Sequence, residues 1–276
     1  MELLFFKPQS TLLQNHIEYF YLLNKGDRSK NVRYYTFPQV NSIVSINRNP
    51  RFIFEKGKLS VFRNRRISVL STLICSYNSP IEINIPGYIN EITISFKPLG
   101  LNAFLSKDLN TYTANQFAYF NPYNDFNEKM TAITAIKCPE EKILRLEEYL
   151  LEKYVGFNHP FLQEVIEDML NADQHYSIRD IATKYNISRK TLYKHFEIHI
   201  GKNPTEMRKM IRFRQAIREH FGLDPKHSFN ELSNKMDFFD SSHLNKEFRA
   251  ITGCTPRVFF NQIYSMNAGA INWLFI

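Results

Sequence analysis

Short apolar runs alternate with turn signals over the first hundred residues. Four stretches rich in Ile, Val, Tyr, Phe and Thr predict β-strands: VRYYTFPQVNSIVSI, RFIFEKGKLSVF, RISVLSTLICSY and EITISFKPLG. The turn signals RNP, EKGK, NSP and IPG lie among them. Short strands at this spacing predict a small antiparallel barrel or sandwich. The preceding segment, STLLQNHIEYFYLL, is compatible with a helix or with a strand.

The pattern becomes helical after about residue 100, most clearly in CPEEKILRLEEYLLEKYVG. Pro139 suits the first turn of a helix, two glutamates follow it, and Gly156 marks a stop. The apolar residues at helical spacing are Ile143, Leu146, Leu150 and Tyr154. This stripe is compatible with packing on the barrel and with a dimer contact, because a buried and an exposed stripe look alike in sequence.

The C-terminal half contains an internal repeat with an offset of 52 residues. The two copies are ISRKTLYKHFEIHIGKNP and FDSSHLNKEFRAITGCTP. Five residues of the first copy recur in the second: Leu192, Lys194, Phe196, Gly201 and Pro204 return as Leu244, Lys246, Phe248, Gly253 and Pro256. Five coincidences at one offset indicate one structural unit used twice.

Each copy predicts a short helix, a tight turn and a second helix. A capping box opens each first helix, Ser177 with Asp180 and Ser228 with Glu231. Asn186 and Asp237 occupy the two predicted turns, and both residue types tolerate the left-handed backbone conformation. The second helices place Leu and Phe four residues apart on an inner face, which leaves polar and basic residues outside. The pattern is therefore that of two helix-turn-helix units, joined by a helical connector in PTEMRKMIRFRQAIREHF.

These residues resemble the AraC/XylS family of bacterial transcription regulators over roughly residues 160–260. The motifs that carry the resemblance are Leu192/Phe196, Gly201/Pro204 and Arg212/Ala216 in the first unit, and DFFDSSHL with FRAITGCTP in the second. Three residues depart from the family pattern, Asp237 for Gly, Ser233 for Ala and Leu244 for an aromatic residue. Their sizes and turn preferences put local stability in question more than the fold.

The resemblance implies sequence-specific binding to double-stranded promoter DNA, with two recognition helices in successive major grooves. Carried over by position, the base-contacting residues are Lys190, Tyr193, Lys194, Ser242, Asn245 and Lys246. The phosphate-contacting residues are Arg189, Lys202 and Arg249. Arg212 is expected to brace the two units instead. The resemblance also implies an activator, with RNA polymerase, a small-molecule effector and a second copy of the chain as partners.

The charge distribution agrees with nucleic acid as the partner. Residues 177–218 hold eleven Lys or Arg and three acidic residues, a difference of +8 that equals the formal net charge of the whole chain. Residues 219–260 hold only five Lys or Arg against six acidic residues. A concentrated basic patch favours nucleic acid, with an anionic membrane as the weaker alternative. The first unit is therefore expected to supply most of the electrostatic attraction.

The chain predicts an α+β protein with a β-rich sensory or oligomerisation domain at 1–156. An all-α DNA-binding domain follows at 157–262, and 263–276 form an apolar tail that either packs back on a domain or meets a partner. No signal peptide or membrane span is predicted, so a cytoplasmic protein is expected. The three cysteines show neither disulfide nor metal spacing and are expected to be buried or half-buried.

No enzymatic constellation is evident, and neither a metal nor a cofactor is expected. His195 and His199 stand at metal-ligand spacing on one helix, but Glu197 lies on another face and no third ligand is near in sequence. Two alternatives to a sequence-specific regulator stay open. One is a ligand-binding barrel whose basic appendage holds nucleic acid non-specifically. The other is an enzyme with its chemistry in residues 1–155, which would require a polar pocket with perturbed carboxylates.

Overall fold

A computed structural model describes most of the chain. It covers residues 1–26, 30–75, 77–113, 118–171, 176–222, 241–266 and 271–276. At residues 220–222, 241–244, 264–266 and 271–272 only the backbone is described. Within these ranges the N-terminal part is mainly β and the following part mainly α, which confirms the predicted α+β class.

The β-strands in the described part of the chain form two sheets of six strands each. Their bounds are β1 Glu2–Phe6, β2 Ile17–Lys25, β3 Val32–Thr36, β4 Ser42–Arg48, β5 Pro50–Glu55, β6 Lys58–Arg63, β7 Val69–Ile74, β8 Ile81–Ile85, β9 Ile89–Phe96, β10 Ala118–Tyr119, β11 Tyr264–Met266 and β12 Ile271–Phe275. The first sheet has the order β1-β2-β9-β4-β7-β10 and the second β11-β12-β3-β8-β6-β5. The pairings are antiparallel except for β6 with β8. The ambiguous segment STLLQNHIEYFYLL holds both elements, because a helical turn precedes strand β2.

Apart from α1, the described α-helices lie between β10 and β11 along the chain. Their bounds are α1 Thr11–His16, α2 Phe126–Ala135, α3 Pro139–Glu152, α4 Leu162–Leu170, α5 Ile178–Lys184, α6 Arg189–Ile200, α7 Pro204–Gly222, α8 Ser241–Thr252 and α9 Pro256–Gln262. Two short 3-10 helices cover Gly100–Phe104 and Leu109–Tyr112. None of the described helices has the length and apolar composition that a bilayer crossing requires.

The predicted stripe on α3 is buried within its own domain. Ile143, Leu146 and Leu150 pack in one core with residues of the first sheet, including Val44 and Ile92. The first sheet is therefore covered by helices on one face and by the second sheet on the other. This placement supports the barrel-packing interpretation of the stripe.

The apolar C-terminal tail returns to the N-terminal sheet. Strand β12 pairs with β3 in antiparallel register, with Trp273 opposite Thr36 and Phe275 opposite Tyr34. The Trp273 ring stacks on the Tyr34 ring at 4.2 Å between centroids and is 4% exposed. Of the two roles open for the tail, the structure shows packing back on a domain.

The three cysteines are free. Cys75 is buried and Cys254 half-buried, but Cys138 is exposed, so the expectation of burial is wrong for that residue. Cys138 precedes Pro139 at the start of α3, where the chain faces solvent.

Candidate nucleic-acid interface

Local hydrogen bonds fix the first helix-turn-helix unit. The Ser177 hydroxyl accepts from the Asp180 N–H at 3.1 Å, and the Asp180 carboxylate accepts from the Ser177 N–H at 2.9 Å. Asn186 takes the turn with φ +50°. The Ser188 hydroxyl then accepts from the Thr191 N–H at 3.0 Å and begins α6. The first predicted capping box and the predicted turn are confirmed.

The inner face of α6 anchors this helix in a core of its own. Leu192, Phe196 and Ile200 are at most 3% exposed and pack with residues of α4, α5 and α7. Gly201 ends the helix with φ +73°, a backbone conformation that residues with a Cβ rarely adopt. A Cβ there would also lie 3.0 Å from the Cys75 sulfur of the N-terminal part. The predicted inner face is confirmed.

The outer face of α6 carries cations and one tyrosine. Arg189, Lys190 and Lys194 are exposed. Tyr193 is half-buried, and its hydroxyl lies 2.6 Å from the Thr205 hydroxyl on α7. This contact holds the Tyr193 ring at the junction of the two helices. The outer face is accessible to a partner, while contacts with bases and phosphates stay predictions.

Helix α7 connects the two units because it belongs to both of their cores. Met207 and Ile211 pack in the core of the first unit. Phe213, Ala216 and Ile217 pack in a second core that includes residues of α8 and α9. A continuous helix inserted in two cores is a rigid connector, as the sequence predicts.

The second recognition helix is described in part. On α8, Phe248 is 1% exposed and faces the second core, whereas Asn245, Lys246 and Arg249 are exposed. Several predicted positions lie outside the described part: the side chains of Ser242 and Leu244, and residues Ser228, Glu231, Ser233 and Asp237. The division into an inner and an outer face holds for the described residues of α8.

An ion pair joins the connector to the second unit. The Arg212 guanidinium on α7 donates to the Glu247 carboxylate on α8. The two side chains are only 19% and 12% exposed, so solvent screens this pair less than a surface pair. Arg212 therefore braces the two units, as expected.

Lys202 is buried, whereas the sequence predicts it on the surface. It is 4% exposed, and its ammonium donates to the Gln39 carbonyl oxygen at 2.8 Å. Burial lowers the pKa of the Lys202 ammonium to about 8. A cation in this position does not face a solvent-exposed phosphate. The expectation that Lys202 is a surface cation for DNA is therefore corrected: this residue ties the α6–α7 junction to the N-terminal domain.

A second buried cation strengthens the same domain contact. Arg214 is 8% exposed, and its guanidinium donates to the carbonyl oxygens of Phe37 and Pro38 at 2.8–3.0 Å. The Asn102 amide donates to the His199 carbonyl oxygen at 2.8 Å in the same region. The basic residues of the first unit thus divide between an outward surface and an inward contact with the N-terminal domain.

The outward surface keeps most of the cations of residues 177–218. The exposed ones are Arg179, Lys184, Arg189, Lys190, Lys194, Lys209 and Arg218. Lys184 is paired with the Asp168 carboxylate at 2.7 Å, which offsets its charge locally. Three of the exposed cations, Arg189, Lys190 and Lys194, lie together on α6.

The fold brings together three histidines that are far apart in sequence. One ring nitrogen from each of His159, His195 and His199 lies within 4.8 Å of the other two. Burial, followed by the neighbouring His195 and His199, lowers the pKa of the His159 imidazole to about 4. The sequence interpretation lacked a third ligand for His195 and His199. Only the tertiary structure supplies His159, because 36 residues separate it from His195.

A pocket lies between the two sheets of the N-terminal domain. Its open volume of about 80 Å³ is several times the roughly 10–15 Å³ that one water needs. Its walls include four tyrosines, aliphatic residues and polar groups, notably Tyr19, Tyr21, Tyr34, Tyr77, Ser45, Asn47, Glu91 and Trp273. The pocket is thus mostly apolar, with a few hydrogen-bonding groups, as small-molecule sites usually are.

Glu91 supplies the acidic group of this pocket. Its Oε1 atom accepts hydrogen bonds from Thr93 at 2.7 Å, Ser45 at 2.8 Å and Tyr21 at 3.3 Å. Burial raises the pKa of the Glu91 carboxyl, and the three hydroxyl donors offset part of that rise. Sequence reasoning placed no residues in an effector pocket, because strand pairing decides which side chains face it.

Comparison with known proteins agrees with the geometry of the C-terminal region. A helix-turn-helix domain model matches residues 181–262. The Msm operon regulatory protein of Streptococcus mutans is 33% identical over 86 residues, which are 31% of this chain and 30% of that protein. The matched region thus spans less than a third of that relative's length.

Solved structures of ToxT from Vibrio cholerae resemble the chain over a larger part. One ToxT structure covers 88% of this chain and 98% of its own, at 12% identity and a TM-score of 0.47. The match to a ToxT structure with a bound unsaturated fatty acid covers 91% of this chain and 95% of the ToxT chain, at 14% identity and a TM-score of 0.45.

The sequence motifs, the buried and exposed faces of α6 and the family match lead to one assignment. Residues 181–262 contain most of the first unit, the connector and the described part of the second unit. This C-terminal region matches a helix-turn-helix domain, and its motifs resemble those of the AraC/XylS family.

Proposed function

We propose that the protein is a sequence-specific transcription regulator whose α6 and α8 read DNA in successive major grooves. The observation that carries the proposal is the division of α6 into a buried apolar face and an exposed basic face. A helix of this kind fits the major groove while its partner helices hold it from behind. The base-contacting set is the one predicted from the sequence, with Lys190, Tyr193 and Lys194 on α6.

Salt dependence tests the electrostatic part of the proposal. The logarithm of the binding constant should fall by about 0.9 per phosphate contact for each logarithmic unit of salt. Arg189→Ala should reduce this slope by about one contact. Lys202→Met is the matched control, because Lys202 faces the Gln39 carbonyl oxygen and should leave the slope unchanged. Equal slopes for wild type and Arg189→Ala would reject the phosphate assignment.

Base preference tests the reading of sequence. Selection of bound duplexes from a random pool should yield a consensus with two half-sites. Lys194→Ala should then weaken binding and relax preference in one half, with a loss of about 1–3 kcal/mol if it contacts a base edge. Equal affinity of the wild type for random duplexes would instead favour a barrel that holds nucleic acid non-specifically.

We propose further that the pocket between the sheets binds a small effector. Glu91 accepts hydrogen bonds and its neighbours are aromatic, so the pocket suits a small molecule with an apolar body and a donor or cationic group. Trp273 is the only tryptophan in the chain and lines this pocket, so its fluorescence reports on occupancy. A panel of aromatic amines and matched carboxylic acids should change the signal with the amines alone. Glu91→Gln should weaken that response, and an unchanged response would reject the role of Glu91.

Activation and dimerisation complete the proposal. The low cation content of residues 219–260 supports a polymerase-facing surface on the second unit. Transcription from a template with the selected site should rise when the protein is added, and a fall would indicate a repressor.

The proposed contact with a second copy of the chain is the exposed face of α3, where Leu144 and Leu151 are 44% and 39% exposed. Sedimentation of Leu144→Lys beside wild type should show loss of a dimer, and a monomeric wild type would reject it.

A further inference from the structure

Three imidazoles meet where the recognition helix faces the chain between the two domains. His159 precedes α4, whereas His195 and His199 lie one turn apart on α6. The Nε2 atom of His159 is 2.9 Å from the Nδ1 atom of His195. The Nδ1 atom of His199 is buried and has no hydrogen-bond partner among the described residues. A carboxylate oxygen of Asp108 lies 3.8 Å from it.

We propose that His159, His195 and His199 form a binding site for a divalent transition-metal ion of the zinc class. Imidazole nitrogens bind Zn²⁺, Ni²⁺ and Cu²⁺ in preference to the hard cations Mg²⁺ and Ca²⁺. In a tetrahedral zinc site the nitrogens would be about 3.4 Å apart, given Zn–N bonds of about 2.1 Å. The observed nitrogens lie within 4.8 Å, so small side-chain rotations bring them to that spacing. The Asp108 carboxylate or a water would complete the set.

The hydrogen bonds of the ion-free cluster show what the metal replaces. His159 Nδ1 accepts weakly from the N–H groups of Phe161 and Leu162 at 3.4 and 3.3 Å. Its ring proton then resides on Nε2 and is donated to His195. Coordination through Nε2 moves this proton to Nδ1 and opens the two long contacts. Metal binding thus replaces weak hydrogen bonds with metal–nitrogen bonds, and it gives the buried His199 nitrogen a partner.

The site lies away from the basic face of α6. At about 100° per residue, His195 and His199 are centred about 140° around the helix axis from Lys190 and Lys194. A bound ion would therefore join α6 to the segment before α4 without covering the exposed cations. With Asp108 as the fourth ligand, the ion would also hold the recognition helix against the N-terminal domain. Metal binding is thus distinct from DNA binding and is measured without DNA.

Binding is tested with the full-length protein without an affinity tag, after treatment with a chelator. Zn²⁺ competition against a chromophoric chelator should give one equivalent bound per chain. His195→Ala and His199→Ala should each lower the affinity by more than about tenfold, since a direct ligand matters at least as much as the groups that orient ligands. His16→Asn is the matched control, because His16 packs against Phe104 and Tyr154 outside the cluster. Equal affinities for all four proteins would overturn the proposal.

A second measurement covers the case in which a variant fails to fold. X-ray absorption of the wild-type protein with one equivalent of zinc should show imidazole nitrogens at about 2.0–2.1 Å. Coordination by oxygen alone would overturn the proposal, whatever the variants do. His159→Gln, checked for native secondary structure by circular dichroism, should lower the imidazole count by one. An unchanged count in the folded variant would exclude His159 as a ligand.

Discussion

Replacement of Trp273 tests whether the C-terminal tail is part of the N-terminal core. The side chain is 4% exposed, stacks on Tyr34 at 4.2 Å between centroids and lies in the core between the two sheets. The change Trp273→Ala removes an aromatic side chain from this core and leaves a cavity. Such substitutions cost about 3–5 kcal/mol of unfolding free energy.

The substitution leaves the backbone hydrogen bonds of β12 in place. Backbone pairing of β12 with β3 continues to the Ile276 N–H, which donates to the Arg33 carbonyl oxygen at 3.0 Å. The expected loss therefore comes from the ring alone. For a domain of 150–250 residues, 1 kcal/mol shifts Tm by about 2–4 °C, so Tm should fall by at least about 6 °C.

Thermal unfolding followed by circular dichroism measures this shift. The matched control is Phe275→Ala on the same strand, because Phe275 is 42% exposed and should cost about 1 kcal/mol. Trp273→Phe should recover most of the loss, since it keeps a ring against Tyr34. If Trp273→Ala and Phe275→Ala lowered Tm equally, the inference that Trp273 closes the core would be refuted.

The remaining predictions concern the domain that contains the two units. Ser177→Ala should cost about 1 kcal/mol in chemical denaturation, because it removes the capping hydroxyl of α5. Hydrogen bonds from Ser177 lower the pKa of the Asp180 carboxyl, so the carboxylate half of the capping box should stabilise α5 at neutral pH and stop doing so as pH falls through that lowered pKa. Arg212→Met, Glu247→Gln and the double variant should show a coupling of about 0.5–3 kcal/mol in a double-mutant cycle, and additive losses would exclude a brace. The buried Lys202 ammonium binds its proton less tightly in the folded chain, so unfolding free energy should rise from about pH 8 towards the ordinary lysine pKa; Lys202→Met should lack that rise.

The double-unit domain follows from local signals. Leu192 and Phe196 recur at the same spacing in the second copy, and an i, i+4 pair determines which face of a helix is buried. The Ser177 capping box and the Asn186 turn act within a few residues. Since each of these interactions closes within one or two helical turns, the sequence alone predicts the elements and their inner faces.

The domain contact could not be predicted in this way. Lys202 and Arg214 belong to a basic run that looks like a solvated surface, yet they donate to carbonyl oxygens more than 160 positions away in the chain. A charge pattern cannot distinguish a cation facing solvent from one facing a distant carbonyl oxygen. Burial depends on which segments pack together, and no local period encodes that.

The sequence by itself determined the strand-rich first half, the two helix-turn-helix units and the basic outer face of α6. The tertiary structure decided that β12 joins the sheet of β3, that Glu91 faces a pocket and that His159 meets His195 and His199. The physical reason is the range of the interactions. Helix periodicity and capping connect neighbours in the chain, whereas sheet pairing and shared cores connect residues that only the folded chain brings into contact.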